Sequence, residues 1–190
     1  MAKKYEFKPD KPRSGFLNKL FLTQKQRRSL LKWSLYAAVL IVVSLLQDVV
    51  LCRMDIHGAT TELVPCAIFL VCIMEGVETG GVFALVASLF YLFSGSAAGY
   101  YSVAFITTLA VLVTAFRQGY LQSGFAAALL CTAAAMLVYE VLVFGITLFL
   151  GLVRPENILV SLMTAALSLP VIPLLYPIFL SIGGTNAWNE

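Results

Sequence analysis

Charge is what this chain has least of. Asp, Glu, Lys and Arg make up 12% of its 190 residues, about half the share a soluble domain carries. A surface that meets water needs those groups, so the shortage excludes an ordinary soluble domain. Histidine occurs once, at His57, and the four cysteines (Cys52, Cys66, Cys72, Cys131) form no C-x-x-C pair. The thiols are expected to pack as small hydrophobes. Also missing are a glycine-rich phosphate loop, a pair of catalytic carboxylates and a Cys/His cluster. Ser29-Leu30-Leu31-Lys32 has the S-x-x-K spacing but none of the motifs that accompany it in hydrolases, and helix capping explains Ser29 better. His57, Asp55 and Glu62 together offer possible metal ligands, yet a solvated polar loop accounts for them more simply. The expectation is therefore no enzyme, no cofactor and no metal.

What the chain has instead is apolar length: 60% hydrophobic residues and a mean hydropathy of +0.90. Its charges are badly mixed. Ten of the 13 Lys and Arg fall at or before Lys32, and only Arg53, Arg117 and Arg154 follow. Basic residues flanking a first span are retained on the cytoplasmic side, so the arm is read as a topology signal. Nucleic-acid binding is the weaker account of the same residues. Phe16, Leu17, Leu20 and Phe21, interleaved with the basic residues, favour a short helix on the anionic inner leaflet. The apolar stretch that follows is too long for a signal peptide, and Gln47, Asp48 and Arg53 replace the small-residue cleavage site.

A spanning helix takes about 20 mostly apolar residues. On that measure the chain divides into a basic arm (1–29), a domain of six transmembrane helices (30–182) and a short cytoplasmic tail (183–190). The spans are expected at about 31–51, 63–74, 81–93, 101–116, 125–150 and 158–182. The second and third are short, and five spans with one re-entrant segment is the alternative. The break between them is assigned to Glu75, Gly76, Glu78, Gly80 and Gly81, and the next turn to Ser94-Gly95-Ser96-Ala97-Ala98-Gly99. Lys32 is expected to snorkel, and Arg117 with Gln118 to close the fourth span. The last span carries Pro170, Pro173 and Pro177, which predict a kinked helix.

Glu140 is the conspicuous polar residue, an acid inside the fifth span. A charge there is costly unless paired or protonated, so it is expected to face the bundle interior or another protein. A proton relay, a partner contact and a bond between helices all remain open. Gly76/Gly80 and Gly95/Gly99 match the small-xxx-small spacing of close-packed helices, although their turn-like surroundings favour loop geometry. Ala126 to Ala128 and Ala133 to Ala135 offer a better packing face.

The order of these features resembles the bacterial rod shape-determining protein MreD family. The resemblance rests on Leu45-Leu46-Gln47-Asp48, then Asp55-Ile56-His57-Gly58, then Glu62-Leu63-Val64-Pro65. It continues in Glu78-Thr79-Gly80-Gly81-Val82-Phe83-Ala84-Leu85, in Leu92 to Gly99, in Val138-Tyr139-Glu140 and in Leu175-Tyr176-Pro177. It covers about 31–182. Tyr91 stands where that family usually has an acid, and the basic arm is longer than the family's. The resemblance implies a six-helix fold like the S component of energy-coupling-factor transporters. It also implies a non-enzymatic role in cell-wall elongation in the bacterial cytoplasmic membrane, beside an MreC-like protein and, through it, MreB, RodA and a class B penicillin-binding protein. Gln47, Asp48, Pro65 and Glu140 are the candidate partner-binding or buried polar residues. Membrane lipids are expected partners and nucleic acid is not. The rival expectation is an S component that binds a small molecule through Gln47, Asp48, His57 and Glu62; an ion-coupled transporter using Glu140 is a third.

Overall fold

The computed structural model describes residues 24–53, 59–121 and 124–183, with side chains for all of these except residues 24–26 and 52. The inner-leaflet helix expected in the arm, Asp55, His57 and Gly58 of the first loop, the Cys52 side chain and the tail beyond Gly183 lie outside the described residues. Within them the fold is all-α: α1 (Gln24–Val49), α2 (Leu63–Glu75), α3 (Val77–Phe93), α4 (Tyr101–Tyr120), α5 (Phe125–Phe149), α6 (Ile158–Ser168) and α7 (Val171–Gly183). Short 3₁₀ turns follow α1 and precede α6. Three helices, α1, α4 and α5, are long and apolar enough to cross a membrane, or four spans if the bent pair α6 and α7 counts as one. α2 and α3 are apolar but shorter.

α2 is the axis of the bundle. Every residue from Leu63 to Ile73 is buried, because α1, α3, α4, α5 and α7 all pack around it. A helix apolar on all faces can be stable only when it is enclosed in this way. The other helices bury one stripe and expose apolar residues on the outside, among them Val42 on α1, Val86 on α3, Leu112 on α4 and Leu130 on α5.

The chain runs back and forth between two ends. Lys32 near the start of α1 meets Glu75 at the end of α2, and α7 finishes there too, since a Cβ on Gly183 would sit 3.3 Å from the Tyr36 hydroxyl. This is called the arm end. At the far end Asp48, late in α1, meets Ser96 in the turn after α3.

Several expectations need correcting. α1 is already helical at Gln24, so Ser29 lies inside a helix and does not cap one. The break between α2 and α3 is Gly76 alone: φ of +95° there reverses the chain at little cost, because glycine lacks a Cβ. Glu78, Gly80 and Gly81 belong to α3. Gly80 serves close packing, since a Cβ would come 2.8 Å from the Cys72 Cα, and the Cys72 thiol donates to the Gly80 carbonyl at 3.0 Å. The last apolar segment is two helices bent by 41°. Pro170 has no N–H to continue the ladder, and the chain crosses it on tight bonds from Leu169 N–H to Ala166 O (3.3 Å) and from Ile172 N–H to Leu169 O (3.2 Å). Pro173 falls in the first turn of α7, where a missing donor costs nothing. The turn after α3 lies where expected, with Gly95 at φ +80°.

Candidate functional site

The far end gathers the polar residues that the sequence scatters, and it begins with the N-terminus of α2. The first N–H groups of a helix have no partner within it, and here they are buried. The Gln47 side-chain oxygen accepts from both Leu63 N–H and Val64 N–H at 2.9 Å. Pro65 has no N–H to satisfy, and Glu62 N–H donates to the Ser168 hydroxyl at 3.0 Å. The helix start is thus closed by side chains from α1 and α6. Gln47, 8% exposed, also directs its amide nitrogen toward the Tyr91 hydroxyl at 3.5 Å, and Tyr91 in turn donates to Ser96 O at 3.2 Å.

Asp48 is exposed and accepts from the Ser96 hydroxyl at 2.5 Å. A polar pocket of about 420 Å³ opens beside it, lined by Gln47, Asp48, Thr60, Thr61, Ser94, Gly95 and Ser96. Gly99 belongs to the same turn, where its carbonyl accepts from Ser102 N–H at 3.0 Å.

Glu62 follows Thr61 of the pocket lining in the chain. The residue keeps some exposure, yet its Oε2 is buried and has no hydrogen-bond partner. Burial, and secondarily the charge of Glu140, push its carboxyl well above the usual range. Glu140 on α5 is 5% exposed; Oε2 accepts from the Ser161 hydroxyl of α6 at 3.1 Å, while Oε1 has no partner. Tyr139 and Ser102 are fully buried, and their oxygens are unpartnered as well.

Of the candidate residues, Gln47, Asp48, Glu140 and Gly95 converge here, with Pro65 just inside α2; Gly76 and Gly80 lie at the arm end. Sequence reasoning placed Glu62 in an exterior loop, among the candidate small-molecule groups, and not in the interior. The overlooked signal was its place directly before an all-apolar helix with a proline in its first turn, since the cap of an enclosed helix must itself lie deep. Ser102, Ser161 and Ser168 carried no signal of their own, and Tyr91 stood out only as a departure from the resemblance.

The arm end is closed differently. Lys32 Nζ and the Tyr36 hydroxyl both donate to the Glu75 carboxylate at 2.6 Å, and Arg117 Nη1 donates to the Ile73 carbonyl. Cys66, Cys72 and Cys131 are buried free thiols. Among the described residues no group of three His, Cys, Asp or Glu could hold a metal.

Fold and site define an all-helical protein, with three or four segments apolar enough to cross a membrane and a buried acidic cluster at one end. Compared with family models, with curated proteins and with solved structures, the chain matches none.

Proposed function

We propose that the chain is an MreD-like, non-enzymatic subunit of the bacterial cell-wall elongation machinery. It lies in the cytoplasmic membrane with six passes and its basic arm in the cytoplasm. It binds an MreC-like protein, and through it MreB, RodA and a class B penicillin-binding protein. The observation that supports this is the convergence of the motifs carrying the resemblance. Gln47 closes the helix opened by Glu62-Leu63-Val64-Pro65, Asp48 seats the Ser-Gly turn, and Glu140 is held inside by the Ser161 hydroxyl of α6. Segments far apart in the chain thus form one unit. Gln47, Pro65 and Glu140 are buried, so a partner is reached through exposed neighbours such as Val141, Phe149, Leu152 and Leu159 on α5, α6 and the loop between them.

The test is co-purification of the tagged chain from its host in a detergent that keeps the wall-synthesis complex together. An MreC-like protein is expected in the eluate, and depletion of the chain is expected to round rod-shaped cells. Recovery of the intact complex without this chain would sink the reading.

The pocket at Gln47, Asp48 and Thr60 favours a second reading, the S component of an energy-coupling-factor transporter. Association with an ATPase module, or a small molecule retained through purification, would favour it over the first.

A further inference from the structure

We infer that the groove between α1 and α3 holds an acyl chain of a phospholipid whose headgroup carries a primary ammonium, the phosphatidylethanolamine class. The inference needs the chain to lie in a membrane and does not depend on the wall-synthesis reading. It starts from spacing. On α1, Trp33, Ala37, Leu40 and Ile41 recur three or four residues apart or side by side, and on α3 Val82, Val86 and Phe90 do the same with Glu78 at their head, so each set shares one helix face. The two faces line a single cavity of about 600 Å³. Both helices pack on α2, and Trp33 touches Phe83 with ring centroids 5.8 Å apart. The small side chains of Ala37 and Ala87 line the gap that is left between them.

Dimensions select the occupant. From Glu78 to Phe90 α3 rises about 18 Å, close to one leaflet's half of a hydrocarbon core about 30 Å thick. A transmembrane helix of a partner would run nearly twice as far. Spread over that length, the cavity's 600 Å³ is about 33 Å² in section. That is room for an acyl chain and well under the section of a helix about 10–12 Å across. Ile41, Val82 and Val86 stand exposed at the rim, so the groove opens sideways, toward lipid.

The polar end of the groove selects the headgroup. Glu78 and Thr79 line the groove at the arm end and also line a second cavity, of about 510 Å³, with Glu75, Gly76, Val77 and Gln118. An apolar slot thus adjoins a polar chamber, which is the order of parts in a lipid. Trp33 suits that boundary, since indole rings gather at membrane interfaces. The chamber is lined by two acids and no base. Glu75 is already held by Lys32 and Tyr36 at 2.6 Å, whereas Glu78 is exposed and has no ion-pair partner among the described residues. The Thr79 hydroxyl spends its proton on the Glu75 carbonyl at 3.0 Å, which leaves its lone pairs to accept. Gln118 lies over Gly76, its Nε2 2.9 Å from the place of a Cβ there. A primary ammonium brings three N–H donors and a positive charge to these acceptors. A quaternary choline has no N–H to donate, and an anionic headgroup is repelled by Glu78.

The test uses the full chain in phosphatidylcholine nanodiscs, with Trp188→Phe leaving Trp33 as the sole tryptophan. Lipid with brominated acyl chains is added as a minority, in the ethanolamine, choline or glycerol form, and quenching of Trp33 fluorescence is followed against its mole fraction. No MreC-like protein is present, so the outcome is separate from the wall-synthesis reading. The ethanolamine lipid is expected to bind about two-fold to five-fold more tightly than the choline lipid, the scale of one partly exposed ion pair, and the glycerol lipid no better than choline. Glu78→Gln should abolish that preference. Ala37→Phe, which fills the groove, should lower quenching by all three, while Leu112→Phe on the exposed face of α4 should change nothing. Equal quenching by the ethanolamine and choline lipids would overturn the proposal, as would a preference that survives in Glu78→Gln. A preference for phosphatidylglycerol would assign the arm end to an anionic surface instead. Weak quenching by every lipid would mean that a protein segment fills the groove, and overturns the proposal equally. If Ala37→Phe does not fold, Glu78→Gln, a change at an exposed residue, decides.

Discussion

The two ends of α2 are closed by opposite means. At the arm end Glu75 has a full complement: a lysine and a tyrosine on its two oxygens, in a setting where Trp33, Tyr36, Phe83 and Phe179 pack ring against ring. At the far end the backbone is satisfied by neutral side chains, while the two acids beside it are left with free oxygens. Charge neutralised in place makes a fixed joint. Acids left with free oxygens make a joint whose stability depends on pH. One short helix thus carries a rigid end and a responsive end.

The largest expected effect breaks the rigid end. Glu75→Gln leaves Lys32, whose side chain is 12% exposed, without its counter-charge, and should cost about 3–5 kcal/mol of stability. Adding Lys32→Met should restore much of it, which unfolding in detergent would measure. A double variant no more stable than the single one would mean that the pair contributes through something other than charge.

Next is the neutral cap of the far end. Gln47→Leu keeps the volume and orphans two buried N–H groups, at about 1–3 kcal/mol each; the same unfolding assay reads the loss. A change indistinguishable from zero would place water at the start of α2.

The acids themselves should appear as a pH dependence. The Glu62 carboxyl ionises in the ordinary range when unfolded and well above it when folded, so between those values the folded chain holds more protons. Stability from this group is therefore greatest below the ordinary carboxylate range. It falls as pH rises toward the folded value, by at most about 1.4 kcal/mol per pH unit. Glu62→Gln should flatten that part of the profile, and an unchanged slope would remove Glu62 from the account. The smallest effect is expected at the exposed rim, where Asp48→Asn should cost less than about 1 kcal/mol.

The sequence made some of this legible. Runs of apolar residues closed by Arg117 or opened at Phe125 mark α4 and α5 well, because hydropathy and helix length are local properties. The Ser94-to-Gly99 turn is legible for the same reason. Gly80 was not, since a glycine needed for helix contact looks in sequence like one needed for a turn, and only the proximity of Cys72 separates the two. Nor was the partnership of Glu62 with Glu140. A hydropathy scan assigns a polar residue between two apolar runs to solvent, and nothing local says that five helices close around the helix it caps. The broken last segment falls between these cases: its prolines predicted a disturbance, but which of them broke the ladder depended on where the new helix began.

The enclosure of α2 bears on how the protein can be made. At 13 residues the helix is about 20 Å long, short of the roughly 30 Å of a bilayer's hydrocarbon core, and it shows lipid no face of its own. A ribosome delivers the chain from the N-terminus, yet the serine hydroxyl that finishes the cap on α2 is synthesised 106 residues after the N–H it accepts. Until α6 arrives, the centre of the molecule is incomplete. A chain cut short before that point would leave the first N–H of the α2 cap without its partner.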